Sequence, residues 1–159
     1  MTFNIRKAKK TDMPQVLVLI NQLAVFEKEP DAVEVTLEDL EKDGFGDTPA
    51  FFCFVAEAEG KVEGIALCYF RYSTWKGKAI HLEDLIVNDT MRGHGIGSAL
   101  LDEVVKYGHA LKVKRINWEV LDWNTPAISF YEKKGANILN DWRVVHLDEN
   151  GIKNYISNL

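Results

Sequence analysis

The sequence predicts an α/β fold: a mixed, mostly antiparallel central sheet with helices on both faces, in one domain spanning residues 1–159. Three features point there. Phe51 to Ala58 and Val62 to Tyr72 are rich in strand-forming residues and flank a glycine turn, so they read as a hairpin. From Ala79 onward, strand and helix patterns alternate. A hydrophobic share of 47% and a charged share of 27% suit a soluble globular domain with a real core. A sheet entered through hairpins and left through helical crossovers is mixed and covered on both sides.

The elements follow in order. Phe3 to Lys7 is a short first strand. Asp12 can cap a helix with Pro14 in its first turn, and Met13, Val16, Leu17, Ile20, Leu23 and Ala24 recur at helical spacing. Thr36-Leu37-Glu38-Asp39 resembles a capping box opening a second short helix. After the hairpin, Ala79 to Val87 is a third long strand. Ile96 to Leu111 is a helix with Ile96, Leu100, Leu101, Val104 and Val105 inward. Arg115 to Leu121 is a strand, Pro126 to Lys134 a helix stopped by Gly135, and Asp141 to Leu147 the last strand. The order is β-α-α-β-β-β-α-β-α-β, with no repeat or low-complexity segment.

Composition excludes several classes. A net charge of −5 argues against general nucleic-acid binding, which wants a basic surface. No run approaches transmembrane length, and Met1-Thr2-Phe3-Asn4-Ile5-Arg6 lacks the apolar core of a signal peptide, so no membrane partner is expected and the cytoplasm is the default location. A two-residue turn between the hairpin strands would set the two cysteines, Cys53 and Cys68, directly opposite each other. Packing as reduced thiols is expected over a disulfide. The four histidines show no metal-ligand spacing, and no metal is expected.

The most telling stretch is Leu82-Glu83-Asp84-Leu85-Ile86-Val87, followed by Arg92-Gly93-His94-Gly95-Ile96-Gly97-Ser98. An apolar strand with two carboxylates runs into a glycine turn that opens an amphipathic helix. Alternate glycines let backbone N–H groups converge, and the helix N-terminus adds partial positive charge, which suits a pyrophosphate. A Walker loop would need a lysine before Ser98, and a dinucleotide loop a glycine at Ser98. What remains, Arg-x-x-Gly-x-Gly after an acidic strand, resembles the acetyl-CoA loop of the GNAT acetyltransferase superfamily. Asp122-Trp123-Asn124-Thr125-Pro126-Ala127, leading into Phe130-Tyr131, resembles that superfamily's second signature.

The resemblance extends from Ile5 to about His146 and is to the diamine (spermidine/spermine) N-acetyltransferase family. Leu23-Ala24-Val25-Phe26-Glu27-Lys28, Asp43-Gly44-Phe45-Gly46, the block from Tyr69 to Lys78 and Trp142-Arg143 carry it with the motifs above. The polyamine enzymes have an aspartate where this chain has Ser73; the Tyr-Ser-Thr-Trp-Lys-Gly spelling is closer to the thialysine Nε-acetyltransferase (diamine acetyltransferase 2) branch.

The resemblance implies an enzyme that moves the acetyl group of acetyl-CoA to a small cationic amine, and a homodimer. It puts the co-substrate on Leu85, Ile86, Val87, Arg92, Gly93, His94, Gly95, Ile96, Gly97, Ser98, Asn124, Pro126, Ala127 and Tyr131. The amine falls to Phe26, Glu27, Glu83, Asp84, Trp75 and Trp142, with Glu83 as proton acceptor and Tyr131 as proton donor to the departing thiolate. An alkylammonium has a pKa of about 10.4, so reaching the neutral amine at pH 7 costs about 4–5 kcal/mol, which is why an acceptor is needed. Strict alternation sends Glu83 and Asp84 to opposite faces; both can serve one site only if the strand bulges. Rival readings are a polyamine acetyltransferase, an acetyltransferase for protein lysines or N-termini, and a non-catalytic acyl-CoA sensor, which would have no use for Glu83 and Tyr131.

Overall fold

A computed structural model of the chain describes residues 2–159. The strands are β1 (Asn4–Lys7), β2 (Phe52–Ala58), β3 (Lys61–Ser73), β4 (Gly77–Val87) and β5 (Ile116–Asn117). The α-helices are α1 (Met13–Phe26), α2 (Leu37–Phe45), α3 (Ile96–Ala110), α4 (Thr125–Lys133) and α5 (Glu149–Ser157). The chain divides into two compact units, the first running to Glu119 and the second being Val120–Leu159. The first holds one five-stranded sheet in the order β1-β2-β3-β4-β5, antiparallel except for the parallel β4–β5 pair. The second holds α4 and α5.

Alternation along the strands builds two cores. On one face Met13, Val16 and Leu19 of α1 and Leu40 of α2 pack with Cys53, Val55, Ile65, Leu67 and Ile86. On the other lies α3, with Ile96 and Leu100 against Gly64 and Tyr107 against the rings of Phe52 and Phe54. Gly64 is what lets α3 approach: a Cβ there would stand 2.9 Å from Ile96 Cγ2 and 3.1 Å from the Ile86 carbonyl oxygen.

The α2 capping box forms as expected, with the Asp39 N–H donating to Thr36 Oγ1 at 3.1 Å and the Thr36 N–H to Asp39 Oδ2 at 2.9 Å. Asp12 does not cap α1. Its carboxylate instead accepts from the Arg6 guanidinium and the Lys9 N–H, clamping β1 to the start of α1, and Arg6 holds it below the usual carboxylate range. Leu19 joins the core, whereas Val105 is 48% exposed, because α3 turns it past the sheet.

Three further expectations are corrected. A register shift in the β2–β3 hairpin leaves one extra residue, Glu63, so Cys53 pairs with Leu67 and Cys68 with Phe52. One slipped residue reverses the face, so the buried, free thiols point to opposite sides of the sheet. β5 is only Ile116–Asn117, since it runs beside β4 at Ile80 and His81 alone. Residues 141–147 join no ladder among the described residues, and the chain ends in a helix instead. Strand propensity without a pairing partner makes no strand, while Asp148 caps α5 by accepting from the Gly151 N–H at 2.7 Å.

Gly64→Val should lower stability by about 1–3 kcal/mol, because Ile96 and the strand backbone have no room to give. It should appear as a lower urea midpoint with an unchanged slope.

Candidate active site

β4 is the element that assembles the chemistry. Leu67 pairs with Asp84 but Cys68 pairs with Leu82, so Glu83 is an extra residue in the ladder. The bulge that two acidic neighbours on one site require is therefore present. Asp84 falls on the α1 side of the sheet with Leu67, and Glu83 approaches His81, whose Nε2 is 3.3 Å from Glu83 Oε2. Glu27, at the end of α1, joins them. Burial pushes Asp84 up to about 6, with repulsion from Glu83 and Glu27 adding to it, and burial followed by Glu83 raises Glu27. Three carboxylates that repel one another at a partly buried point suit a cation.

β5 leaves β4 just before this point. The two pair only at Ile80–Ile116 and His81–Asn117, so the outer edge of β4 from Leu82 to Val87 has no partner strand among the described residues. Alternate amides there, including those near Leu85, face away from β3. Val87 then meets the start of α3, its Cγ2 lying 3.5 Å from where a Gly97 Cβ would be.

Here the glycine turn leads into α3. Gly93 and Gly95 have φ of 80° and 83°, and Gly95 is the N-cap, with no side chain capping the helix. In contrast, Thr36, Asn124 and Asp148 each cap their helices through a side chain. Among the described residues, the first-turn amides of Ile96, Gly97 and Ser98 thus have no side-chain acceptor, and the glycines remove the Cβ atoms that would screen them. His94 folds back, its Nδ1 within 3.2 Å of the Met91 carbonyl. Arg92 pairs with Asp89 at 2.6 Å and lies over the Phe26 ring at 5.2 Å, which ties the turn to the end of α1 beside Glu27.

The family model for GNAT acetyltransferases matches residues 17–136. The chain belongs to the GNAT acetyltransferase family. It is 42% identical over 145 residues to the thialysine N-epsilon-acetyltransferase of Bos taurus, covering 86% of this chain and 85% of that one. It is 38% identical over 152 residues to the spermidine/spermine N(1)-acetyltransferase-like protein 1 of Homo sapiens, covering 91% of this chain and 22% of the relative. Among solved structures, an integron cassette protein from the mobile metagenome of V. cholerae has the same fold, with a TM-score of 0.80 at 20% identity over 98% of both chains. So does a soil-metagenome aminoglycoside acetyltransferase, with a TM-score of 0.73 at 20% identity over 91% of this chain and 93% of that one.

GNAT acetyltransferases use acetyl-CoA as co-substrate. The uncapped N-terminus of α3 and its glycine approach fit the pyrophosphate of that molecule. In the second unit of this acetyltransferase, Asn124 caps α4 through Oδ1, accepting from the Ala127 N–H at 3.3 Å, which leaves its amide nitrogen as a donor. Pro126 occupies the first turn of α4, where a missing N–H costs nothing. Tyr131 is buried on α4, 5.4 Å from the Phe130 ring, and Trp142 is exposed in the segment before α5. Trp75 is exposed at the tip of the β3–β4 hairpin. Ser73 is buried there, its Oγ accepting from the Trp75 and Lys76 N–H groups. It lies about 20 Å along β4 from Glu83, so its neutral hydroxyl serves the turn.

Sequence reasoning missed His81, Tyr69 and Asn117. The first had a signal in the His-x-Glu spacing, which puts alternate strand residues on one face; the other two come from neighbouring strands and had none.

The pH dependence of stability should expose Asp84. Its native form keeps a proton up to about 6, while an unfolded aspartate loses it near about 3.9. Between those values the native state binds more protons, so stability falls as pH rises through that window. Asp84→Asn should therefore raise stability above about pH 7 by on the order of 1–3 kcal/mol, seen as a higher unfolding midpoint, with the gain vanishing below about pH 4. Thermal melts at the two pH values check this.

Proposed function

We propose that this acetyltransferase moves the acetyl group of acetyl-CoA to a small primary amine: thialysine, a related lysine analogue or a diamine. The bulge at Glu83 carries the assignment, because it brings Glu83 and Asp84 together with Glu27 at the end of α1, on a strand that ends against an uncapped helix. The relative from Bos taurus, named a thialysine N-epsilon-acetyltransferase, supports the substrate class.

When bound, acetyl-CoA supplies the thioester carbonyl that a neutral amine attacks. The amides of Gly93 to Ser98, with Arg92 and His94 in the same turn, hold its pyrophosphate. The edge of Leu85, Ile86 and Val87 receives its extended arm and offers an N–H to the developing oxyanion. Asn124, Pro126 and Ala127, at the start of α4 in the second unit, are the further residues that the family resemblance gives to acetyl-CoA. Asp84 and Glu27 hold the cationic amine, with Phe26 as an apolar or cation–π wall. Glu83 accepts the ammonium proton, directly or through a water, and the Tyr131 hydroxyl returns one to the departing sulfur. Whether polyamines are also acceptors is a second reading, favoured by the human relative's name. The protein acts as a homodimer, for which Val144, Val145 and Leu147 offer exposed apolar side chains to a second copy.

Turnover of acetyl-CoA against thialysine, lysine, ornithine, spermidine, spermine and a basic peptide tests the substrate class; turnover confined to the peptide would overturn it. Light scattering gives the oligomeric state. Gly97→Val should leave the protein folded, because the nearest contact is an ordinary 3.5 Å, yet weaken acetyl-CoA binding at least about tenfold by calorimetry. Tyr131→Phe should keep stability and lower kcat by about 10²-fold or less.

A further inference from the structure

Next to Glu83 lies a buried imidazole that the acid–base roles above leave unused. His81 is 5% exposed, whereas the Glu83 side chain is 53% exposed. The ring's Nε2 is 3.3 Å from Glu83 Oε2, a separation long for a hydrogen bond, as catalytic contacts often are before substrate closes a site. Its other nitrogen meets the Asn117 side-chain amide, Nδ2 to Nδ1. That contact is set by backbone register, since His81 and Asn117 pair directly between β4 and β5. Tyr69, opposite His81 on β3, covers the ring with centroids 4.9 Å apart. The titratable groups facing this cluster are Glu83, Tyr69, Asp84 and Glu27, with Arg71 and Glu119 acting on Tyr69.

An amide can meet Nδ1 in two senses. With Nδ2 donating, Nδ1 is bare and the ring hydrogen sits on Nε2, the nitrogen that lies nearest Glu83. For a neutral ring, the reverse setting turns a bare Nε2 lone pair on the carboxylate oxygen, which is repulsive unless Glu83 is protonated. The first setting matches an ionised Glu83.

We propose that His81 and Asn117 are positioning residues for Glu83. Asn117 keeps the ring hydrogen on Nε2, and Nε2–H donates to the Glu83 carboxylate, holding it charged and in one orientation at the bulge. A half-exposed glutamate has several rotamers, and a donor anchored in the sheet selects one. The role rests on the assignment of Glu83 as the proton acceptor.

Two measurements test it on the whole chain. With ¹⁵N-labelled histidine, NMR at neutral pH should show His81, assigned by its loss in His81→Gln, with its hydrogen on Nε2; a hydrogen on Nδ1 would overturn the proposal. Asn117→Ala, which leaves the ring packed, should convert His81 to a tautomer mixture. In kinetics, His81→Leu cannot donate, so kcat should fall about tenfold. A carboxylate that loses a donor binds its proton more tightly, so the pH at which activity rises should move up, with KM for acetyl-CoA unchanged. His81→Gln restores a donor and should recover most of the loss. Identical Leu and Gln variants with the parental pH profile would make His81 a packing residue. Glu83→Gln separates the two ideas. Full activity there would remove Glu83 as acceptor, whereas a large loss beside an unaffected His81→Leu would overturn only the positioning role.

Discussion

The bulge at Glu83 is the constraint on which the site depends. A regular strand would send one of the neighbouring carboxylates into the α3 core, where an ionised side chain has neither a partner nor water. The extra residue turns Glu83 and Asp84 toward the end of α1, with His81 beside them and Leu82 still buried on the α3 side. It also falls just past the two residues at which β5 pairs with β4. The acidic segment is therefore both bent and free along one edge, which exposes carboxylates and backbone amides at one place.

Holding Glu83, Asp84 and Glu27 together has an electrostatic cost. Asp84 is displaced to about 6 by burial and by its two acidic neighbours, so near neutrality it is ionised against resistance. A bound ammonium relieves all three at once. This is a general way for a fold to favour a cation: it concentrates like charge in the free protein, where repulsion disfavours the empty state. The Arg6 clamp on Asp12 is the opposite arrangement, a carboxylate held below its usual range by its partner, and it serves structure.

The other half of the chemistry depends on what α3 lacks. Its N-cap is a glycine in the left-handed region, and its first turn has neither a capping side chain nor an acidic residue. A helix so begun leaves donors and partial positive charge unmatched, a poor choice for stability alone and a good one for an anion. Gly64 completes it by letting α3 sit close to the sheet, which brings Gly97 to the end of β4.

Local rules in the sequence by themselves determined the hairpin, the α2 capping box, the stop of α4 near Gly135 and the glycine turn after an acidic strand. Each depends on residues a few positions apart, where period, capping and turn chemistry act. The need for a bulge could be stated from the Glu83-Asp84 pair, but not its existence, because register belongs to two strands at once. The same limit explains Cys53 and Cys68, thrown to opposite faces by one extra residue at Glu63. It explains residues 141–147, whose strand propensity finds no ladder, and Asn117, which reaches His81 only because a parallel strand returns beside it. Tertiary structure alone decided these, since pairing between distant segments is a property of their mutual geometry and no single segment encodes it.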